Sequence, residues 1–200
     1  PSFNEEKSVL ILLEKISNLF ISKVKITDFE IVFVDDGSTD DSYQLVKNWM
    51  QNKKLQMTLI RFRNNRGKSY ALNAGFKEAL GEIILTLDAD LQDEPNELFN
   101  LINKINQDYD LVSGWKRKRN DPWSKTIPSL FFNFVTSFIS GVKLHDFNCG
   151  LKAYKSEVVK DLNLYGELHR YIPLLAAWRG YRVTEIPVKH HKRKYGYTKY

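Results

Sequence analysis

Two aspartates, Asp88 and Asp90, stand directly after a stretch of the chain that is nearly all apolar, residues 82–87. Such a stretch is typical of a strand that is covered on both faces of a sheet. Carboxylates two residues apart at the end of that strand can converge on one divalent cation, and hard oxygen ligands favour Mg²⁺ or Mn²⁺. Gln92 can add a neutral oxygen. The spacing and its position therefore predict a metal site.

The same spacing recurs at Asp108 and Asp110. This second pair falls where a helix is predicted to give way to a strand, so we interpret it as a solvated turn. Position separates the two pairs, because only Asp88 and Asp90 follow a predicted strand at its carboxyl end.

A further acidic turn, Asp35 and Asp36, follows the β-rich residues 29–34. Two interpretations of this turn stay open. Ser38 or Thr39 could cap the next helix, or a carboxylate at the strand end could accept hydrogen bonds from a ribose or a base.

The elements that must position these side chains alternate between helix and strand. Apolar spacing predicts a first helix at 5–21 with Asn4 as its N-cap, a second ending near Lys53 and a third at 68–80. Strands are predicted at 29–34, 57–62, 82–87 and 110–115. This order indicates βαβ units and a mostly parallel sheet, whose ligands bind beyond the carboxyl ends of the strands.

The second half of the chain is basic, and the net charge of +6 indicates an anionic partner. Residues 116–125 and 189–200 each hold five Lys or Arg. Between them, residues 127–142 have apolar side chains at helical spacing. This helix either packs on the sheet or lies in a membrane interface, with Trp123 at its start and the basic loop against anionic head groups. Both interpretations hold if Phe132 faces a second surface.

Several classes of protein are excluded or disfavoured. The single cysteine, Cys149, excludes an internal disulfide and a Cys-based zinc site, and the four histidines have no zinc-site spacing. A nucleic-acid-binding module would explain the pI near 9.2 but not the acidic strand ends, and no aromatic-basic recognition motif is present. No apolar run approaches the ~18 residues of a membrane span.

Motifs in the first half resemble, in order, those of family 2 glycosyltransferases with a GT-A fold, at residues 1–5, 34–38, 65–75 and 87–92. Motifs in the second half resemble the polyprenyl-phosphate glycosyltransferases, at residues 112–117, 141–146, 149–152, 169–173 and 193–200. That group includes dolichyl-phosphate mannose synthases and bacterial undecaprenyl-phosphate sugar transferases. The resemblance extends over essentially the whole chain.

The resemblance implies one GT-A domain over residues 1–200, a Rossmann-like αβα sandwich with a mostly parallel sheet. Residues 1–110 would be the nucleotide- and metal-binding half, and residues 111–200 the acceptor- and membrane-facing half. The first strand of the family would end at Pro1, so it is expected to be truncated here. The chain is expected to be cut from a longer protein with C-terminal transmembrane helices at the cytoplasmic face of a membrane.

The resemblance also assigns roles to individual residues. The metal site would be Asp88, Asp90 and Gln92, and the catalytic residues Asp88, Asp90 and Arg117. The nucleotide-sugar would contact Pro1, Glu5, Asp35, Asp36, Lys68 and Asp88. The acceptor phosphate would contact Arg117, Arg119, Arg170, Arg193 and Lys199. Position 191 departs from the family pattern, since it is His where an Arg is frequent.

The expected activity is a metal-dependent, inverting transfer of a hexose from a UDP- or GDP-sugar to a polyprenyl phosphate. An acceptor phosphate is already an anion at neutral pH, so no general base is required. The alternative is transfer to a soluble or polysaccharide acceptor, which would need a carboxylate base. Nucleic acid is not expected as a partner, and a homo-oligomer is left open.

Overall fold

The computed structural model describes residues 1–23, 28–117, 133, 135–138 and 140–194. Residues 133, 135–138 and 140 are helical, and the rest of the helix predicted at 127–142 lies mainly outside the described residues. The strands are β1 (Glu30–Asp35), β2 (Gln56–Arg61), β3 (Ile83–Thr86), β4 (Leu111–Trp115), β5 (Lys152–Lys155) and β6 (Val183–Pro187). The helices are α1 (Val9–Lys23), α2 (Ser42–Gln51), α3 (Lys68–Glu78), α4 (Glu97–Ile105), α5 (Ser156–Asp161) and α6 (Ile172–Trp178), with a 3₁₀ turn at Leu168–Tyr171.

The strands form two sheets. β1 and β2 pair in parallel, and a four-stranded sheet has the order β3-β5-β4-β6. β4 and β6 are parallel, whereas β5 runs antiparallel to both of its neighbours, β3 and β4. β3, β4 and β6 therefore point the same way, and their carboxyl ends meet at one edge, as the predicted βαβ order requires. The amino end of β5 comes to that same edge, because Lys152 pairs with Thr86 and Ser113.

Helices cover both faces of the four-stranded sheet because successive strand residues point to opposite faces. Leu111 packs into a cluster with residues of α3, α5 and α6, whereas Val112 packs into a cluster with α4 and Phe20. A third apolar cluster joins α1 and α2 to β1 and β2. The alternation of helix and strand thus gives the αβα layering that the family resemblance implies.

The N-terminal residues extend the pairing beside β1. The Ser2 N–H donates to the Val34 carbonyl and the Ser2 carbonyl accepts from the Asp36 N–H, both at 2.8 Å. This is a one-residue parallel bridge. It is all that the described residues contain of the expected first strand.

Two predicted helix caps are wrong. α1 begins at Val9, and Asn4 has a φ of +53° and accepts a hydrogen bond from the Thr39 N–H at 2.8 Å instead. Ser38 does not cap α2 either, because its Oγ accepts from the Asn4 N–H at 2.9 Å. Thr39, bound to Asn4, does not cap α2, and the N–H of the first residue of this helix, Ser42, donates to Asp40 Oδ1 at 3.0 Å. These side chains join the N-terminal turn to the turn after β1, a contact between distant residues that local spacing does not reveal.

The second acidic pair lies in a turn between α4 and β4, as predicted, but only Asp108 is solvated, because Asp110 is buried. Asp108 has a φ of +73° and pairs with the Arg182 guanidinium. Asp110 accepts from the Arg182 N–H at 2.8 Å and from Lys155 Nζ at 2.7 Å. The pair therefore stabilises the end of the sheet opposite to the carboxyl ends of β3 and β4.

Candidate functional site

Asp88 lies just past the end of β3 and is held by the first residue of α3. Lys68 Nζ is 2.6 Å from Oδ1 and 2.8 Å from Oδ2 of Asp88. Burial alone would raise the pKa of the Asp88 carboxyl, but the Lys68 ammonium outweighs it and the pKa lies below its ordinary value. Asp88 is therefore an oriented carboxylate. Pro1 lines the same cavity as this pair.

Asp90 pairs with a residue from the far end of the chain. Arg193 Nη2 is 2.6 Å from Asp90 Oδ2, and Arg193 Nη1 is 3.9 Å from Glu5 Oε1. The Asp90 Oδ1 atom accepts from the Gln92 N–H at 3.1 Å. Burial and the neighbouring Asp88 carboxylate raise the pKa of Asp90 to about 6. The pKa of Asp88 is thus lowered and the pKa of Asp90 is raised, although both residues lie in one turn.

Residues 190–193, here called the C-terminal strap, lie against the loop that follows Asp90. His190 pairs antiparallel with Asp93, and the His191 N–H donates to the Gln92 carbonyl at 2.7 Å. His191 Nε2 is 3.2 Å from Glu94 Oε2, and the Gln92 side-chain amide donates to the His191 carbonyl at 3.3 Å. The histidine that departs from the family pattern therefore anchors the strap on this loop.

The two acidic residues after β1 have different surroundings. Asp36 accepts from the Arg66 N–H at 2.8 Å and the Gly67 N–H at 3.0 Å, so it fixes the loop that leads into α3 and Lys68. Asp35 is buried, and Arg61 Nε lies 3.4 Å from its Oδ2. Burial raises the pKa of Asp35. The structure shows Asp36 as a loop anchor, and contact of either residue with a nucleoside stays a prediction.

The basic residues after β4 do not all point to solvent. In the membrane-interface interpretation Lys116 belongs to the basic loop that faces anionic head groups, but its Nζ lies 3.2 Å from Asp93 Oδ1 and only 15% of its side chain is exposed. Burial alone would lower the pKa of Lys116, but Asp93 and further carboxylates raise it. That interpretation does not hold for Lys116, because a buried carboxylate holds its ammonium. Arg117 is exposed, and the central carbon of its guanidinium lies 5.8 Å from the centre of the Trp115 ring.

The remaining predicted acceptor residues are not brought together in the described part of the chain. Arg170 forms an ion pair with Glu167, with 2.8 Å between Nε and Oε2. Arg119 and Lys199 lie outside the described residues, as do Trp123 and Phe132. Phe138, on the apolar stripe of the predicted helix, is 81% exposed, so packing of the stripe on the sheet does not hold at this position.

Three residues near Asp88 have no role in the sequence interpretation. Gly150 lies so close that a Cβ atom there would be 2.2 Å from Asp88 Oδ2. Lys152 and His169 line the same cavity as Lys68 and Asp88. His169 is fixed by Ser69, whose Oγ is 3.0 Å from both its Nδ1 and its backbone N. The motifs at 149–152 and 169–173 contain these residues, but only the fold places them near Asp88: the register of β5 brings Lys152 there, and Ser69 of α3 holds His169.

The two carboxylates fit a site at which a divalent cation is coordinated partly by the protein and partly by a substrate. Their side chains are partly exposed, 28% for Asp88 and 14% for Asp90, and their oxygens are hard ligands. Among the described residues, no group of three or more His, Cys, Asp or Glu side chains could hold a metal ion. Phosphate oxygens of a substrate would have to complete the coordination, as is usual for Mg²⁺.

Comparison with known proteins gives a consistent assignment. Residues 1–162 match glycosyl transferase family 2. Dodecaprenyl-phosphate galacturonate synthase of Rhizobium johnstonii is 35% identical over 204 aligned residues, which cover 100% of this chain and 60% of that protein. Undecaprenyl-phosphate 4-deoxy-4-formamido-L-arabinose transferase of Edwardsiella ictaluri is 35% identical over 200 residues, 100% of this chain and 61% of that protein. The chain spans about 60% of the length of these curated relatives.

Solved structures agree with this assignment. A mannosyltransferase from Pyrobaculum calidifontis in complex with GDP-Man and Mn²⁺ has a TM-score of 0.69 and 27% identity over 98% of this chain and 56% of its own. Glucosyl-3-phosphoglycerate synthase of Mycobacterium tuberculosis, in complex with Mn²⁺ and UDP-glucose, has a TM-score of 0.69 over 98% of this chain and 70% of its own. At 20% identity the second likeness shows the fold alone. No helix in the described ranges is long and apolar enough to span a bilayer. The architecture is the GT-A fold, and the chain belongs to glycosyl transferase family 2.

Proposed function

We propose that this protein transfers a hexose from a UDP- or GDP-linked donor to a polyprenyl phosphate, with inversion at the anomeric carbon and with Mg²⁺ or Mn²⁺ bound. The observation that carries the proposal is the pair Asp88 and Asp90 at the end of β3, with Lys68 and Arg193 against it. Both curated relatives at 35% identity are named for polyprenyl phosphates, which supports the choice of acceptor.

The acidic and basic residues of the site have different roles in the proposed reaction. Asp88, Asp90 and Gln92 would hold the cation, which when bound stabilises the charge that grows on the departing nucleoside diphosphate. Lys68 keeps Asp88 ionised and fixes its direction. Asp36 holds the loop before α3 in place and so positions Lys68.

The acceptor side needs binding groups more than it needs a base, because a phosphate monoester is already ionised. Guanidinium groups bind phosphate with two parallel hydrogen bonds, which suits Arg117 and Arg193 for orienting the attacking oxygen. The exposed Phe138 and the basic residues of the second half support contact with an anionic membrane surface, on its cytoplasmic face.

One assay tests the proposal. Full-length protein is incubated with Mg²⁺ or Mn²⁺, labelled UDP-glucose or GDP-mannose, and undecaprenyl or dolichyl phosphate, and the organic phase is counted. We expect organic-extractable label from wild type and none from Asp90→Asn. If no labelled lipid forms with any of several donors, the proposal is contradicted. If the Asp90→Asn enzyme is active, the assignment of Asp90 as a metal ligand is wrong.

A second candidate, transfer to a soluble or polysaccharide acceptor, is favoured by one observation. The His145 imidazole contacts the Glu185 carboxylate through Nδ1 and stacks on Trp115 at 4.1 Å. A histidine that a carboxylate orients is a usual general base. His145→Gln separates the two functions, since it should leave transfer to a lipid phosphate within about threefold and lower transfer to a hydroxyl acceptor by about 100-fold or more.

A further inference from the structure

Lys152 is a buried cation at the edge of the sheet where Asp88 lies. Only 3% of its surface is exposed. It is the first residue of β5, and the antiparallel register with Thr86 brings it to the carboxyl end of β3. Its Nζ donates to the Cys149 carbonyl, and among the described residues no carboxylate forms an ion pair with it.

The described residues of the cavity include no carboxylate that is paired with Lys152. The cavity that it lines also contains Lys68, Asp88 and His169. Asp88 compensates Lys68. Burial and the nearby Lys68 lower the pKa of His169 to about 3, so this imidazole is neutral at neutral pH. Burial lowers the pKa of Lys152, the carboxylates of Asp146 and Asp88 oppose this shift, and among the described residues neither of them forms an ion pair with Lys152.

Several other lysines with partly buried side chains among the described residues are paired with carboxylates. Lys116 has Asp93 at 3.2 Å, Lys155 has Asp110 at 2.7 Å and Lys53 has Glu14 at 2.8 Å. A buried ammonium that has no carboxylate in direct contact is unfavourable for folding. A hydrogen bond to one backbone carbonyl could be made equally by a neutral amide, so it does not explain why a charged side chain is placed here.

We propose that Lys152 binds an anionic phosphate oxygen of a substrate, in the cavity beside Asp88. The cavity has a volume of about 10 Å³, room for about one water-sized atom. It therefore fits a single phosphate oxygen, with the rest of the phosphate outside it. This inference rests on the proposed function, which supplies two phosphate sources: the diphosphate of the donor and the phosphate of the lipid.

Two variants separate charge from structure. Lys152→Gln keeps a donor for the Cys149 carbonyl and removes the charge, whereas Lys152→Met removes both. Lys155→Gln is the matched control, because it removes a lysine from the other end of the same strand. Full-length proteins are compared by thermal unfolding without ligand, and by calorimetric titration with inorganic pyrophosphate, with UDP or GDP plus Mg²⁺, and with farnesyl phosphate.

We expect both Lys152 variants to unfold at or above the wild-type temperature and to bind at least one of these anions about 10- to 100-fold more weakly, the worth of one charged hydrogen bond. Lys155→Gln should bind as wild type does. Weakening in the nucleotide arm assigns the oxygen to the donor, and weakening with farnesyl phosphate alone assigns it to the acceptor.

Three results would overturn the inference: variant affinities within twofold of wild type in every arm, no binding of any of these anions by wild type, or loss of folding in both Lys152 variants. The last result would make the ammonium structural. The proposed function fails separately, when wild type makes no lipid-linked sugar. A wild type that binds pyrophosphate through Lys152 but makes no such product would leave the Lys152 inference standing.

Discussion

Gly150→Ala should disable the site with a single added methyl group. The backbone of Gly150 lies outside the left-handed region, so alanine can adopt it without strain of its own. The added Cβ would lie 2.2 Å from Asp88 Oδ2 and 2.5 Å from Asp88 Cγ. Because carbon and oxygen atoms in contact stay more than 3 Å apart, the Asp88 carboxylate or the Gly150 backbone must move by roughly 1 Å.

That displacement sets the expected magnitude. A misplacement of about 1 Å in a catalytic constellation can lower the rate about 100-fold, and overpacking of this kind costs about 1–3 kcal/mol of stability. Asp88 would also lose the geometry of its pair with Lys68, which has N–O distances of 2.6 and 2.8 Å. We therefore expect kcat/KM to fall about 100-fold and Mn²⁺ binding to weaken, while circular dichroism stays that of a folded protein.

Gly75→Ala is the control, because it lies within α3 and its Cβ would meet Val34 Cγ2 at an ordinary 3.4 Å. An alanine inside a helix should leave activity unchanged and raise stability by up to about 1 kcal/mol. The reasoning is refuted if Gly150→Ala retains wild-type kcat/KM and wild-type Mn²⁺ affinity, since the close approach to Asp88 would then have no consequence.

Three further predictions follow from the contacts of the site. Arg193→Gln should bind Mn²⁺ about tenfold more tightly than wild type in calorimetry, because a guanidinium no longer competes for Asp90; Arg193→Lys, which keeps the charge, should not. His169→Asn should weaken the pH dependence of stability, because His169 is protonated below about pH 6.5 in the unfolded chain but only below about pH 3 in the folded protein. Between pH 7.5 and pH 5 the free energy of unfolding of wild type, measured with urea, should therefore fall by about 2 kcal/mol more than that of the variant. Equal decreases in the two proteins would contradict the lowered pKa of His169. Asp36→Ala should cost about 1–3 kcal/mol and raise amide exchange at Arg66 and Gly67, whose N–H groups lose their acceptor; unchanged exchange there would contradict the anchoring role.

The sequence predicted the order of β1 to β4 and α1 to α3 well, because hydrophobic periodicity is a local property. It did not predict β5, residues 152–155, which are two lysines around an alanine and a tyrosine and form only four residues of strand. The direction of β5 depends on its neighbours in the sheet. For the same reason the position of Lys152 beside Asp88 was not predictable from spacing.

Within the site, the placement of Asp88 and Asp90 followed from their position after an apolar strand, and the roles of the other residues came from the family resemblance. Their partners could not be predicted, because a partner depends on distances in the folded chain. Lys116 illustrates this limit: it belongs to a basic run in the sequence, yet the buried Asp93 holds it. His191 is a similar case, since its contact with Glu94 spans 97 positions.

The C-terminal strap also determines when the site can assemble during synthesis. Arg193 and Asp90 are 103 positions apart, so at about 5–20 residues per second Asp90 emerges several seconds before its partner exists. The apolar cluster of α1, α2, β1 and β2 lies within the first 61 residues and can form early. Asp90, in contrast, lacks this partner on the nascent chain until residue 193 has left the ribosome, so its ion pair forms later than those of Asp88 with Lys68 and of Asp93 with Lys116.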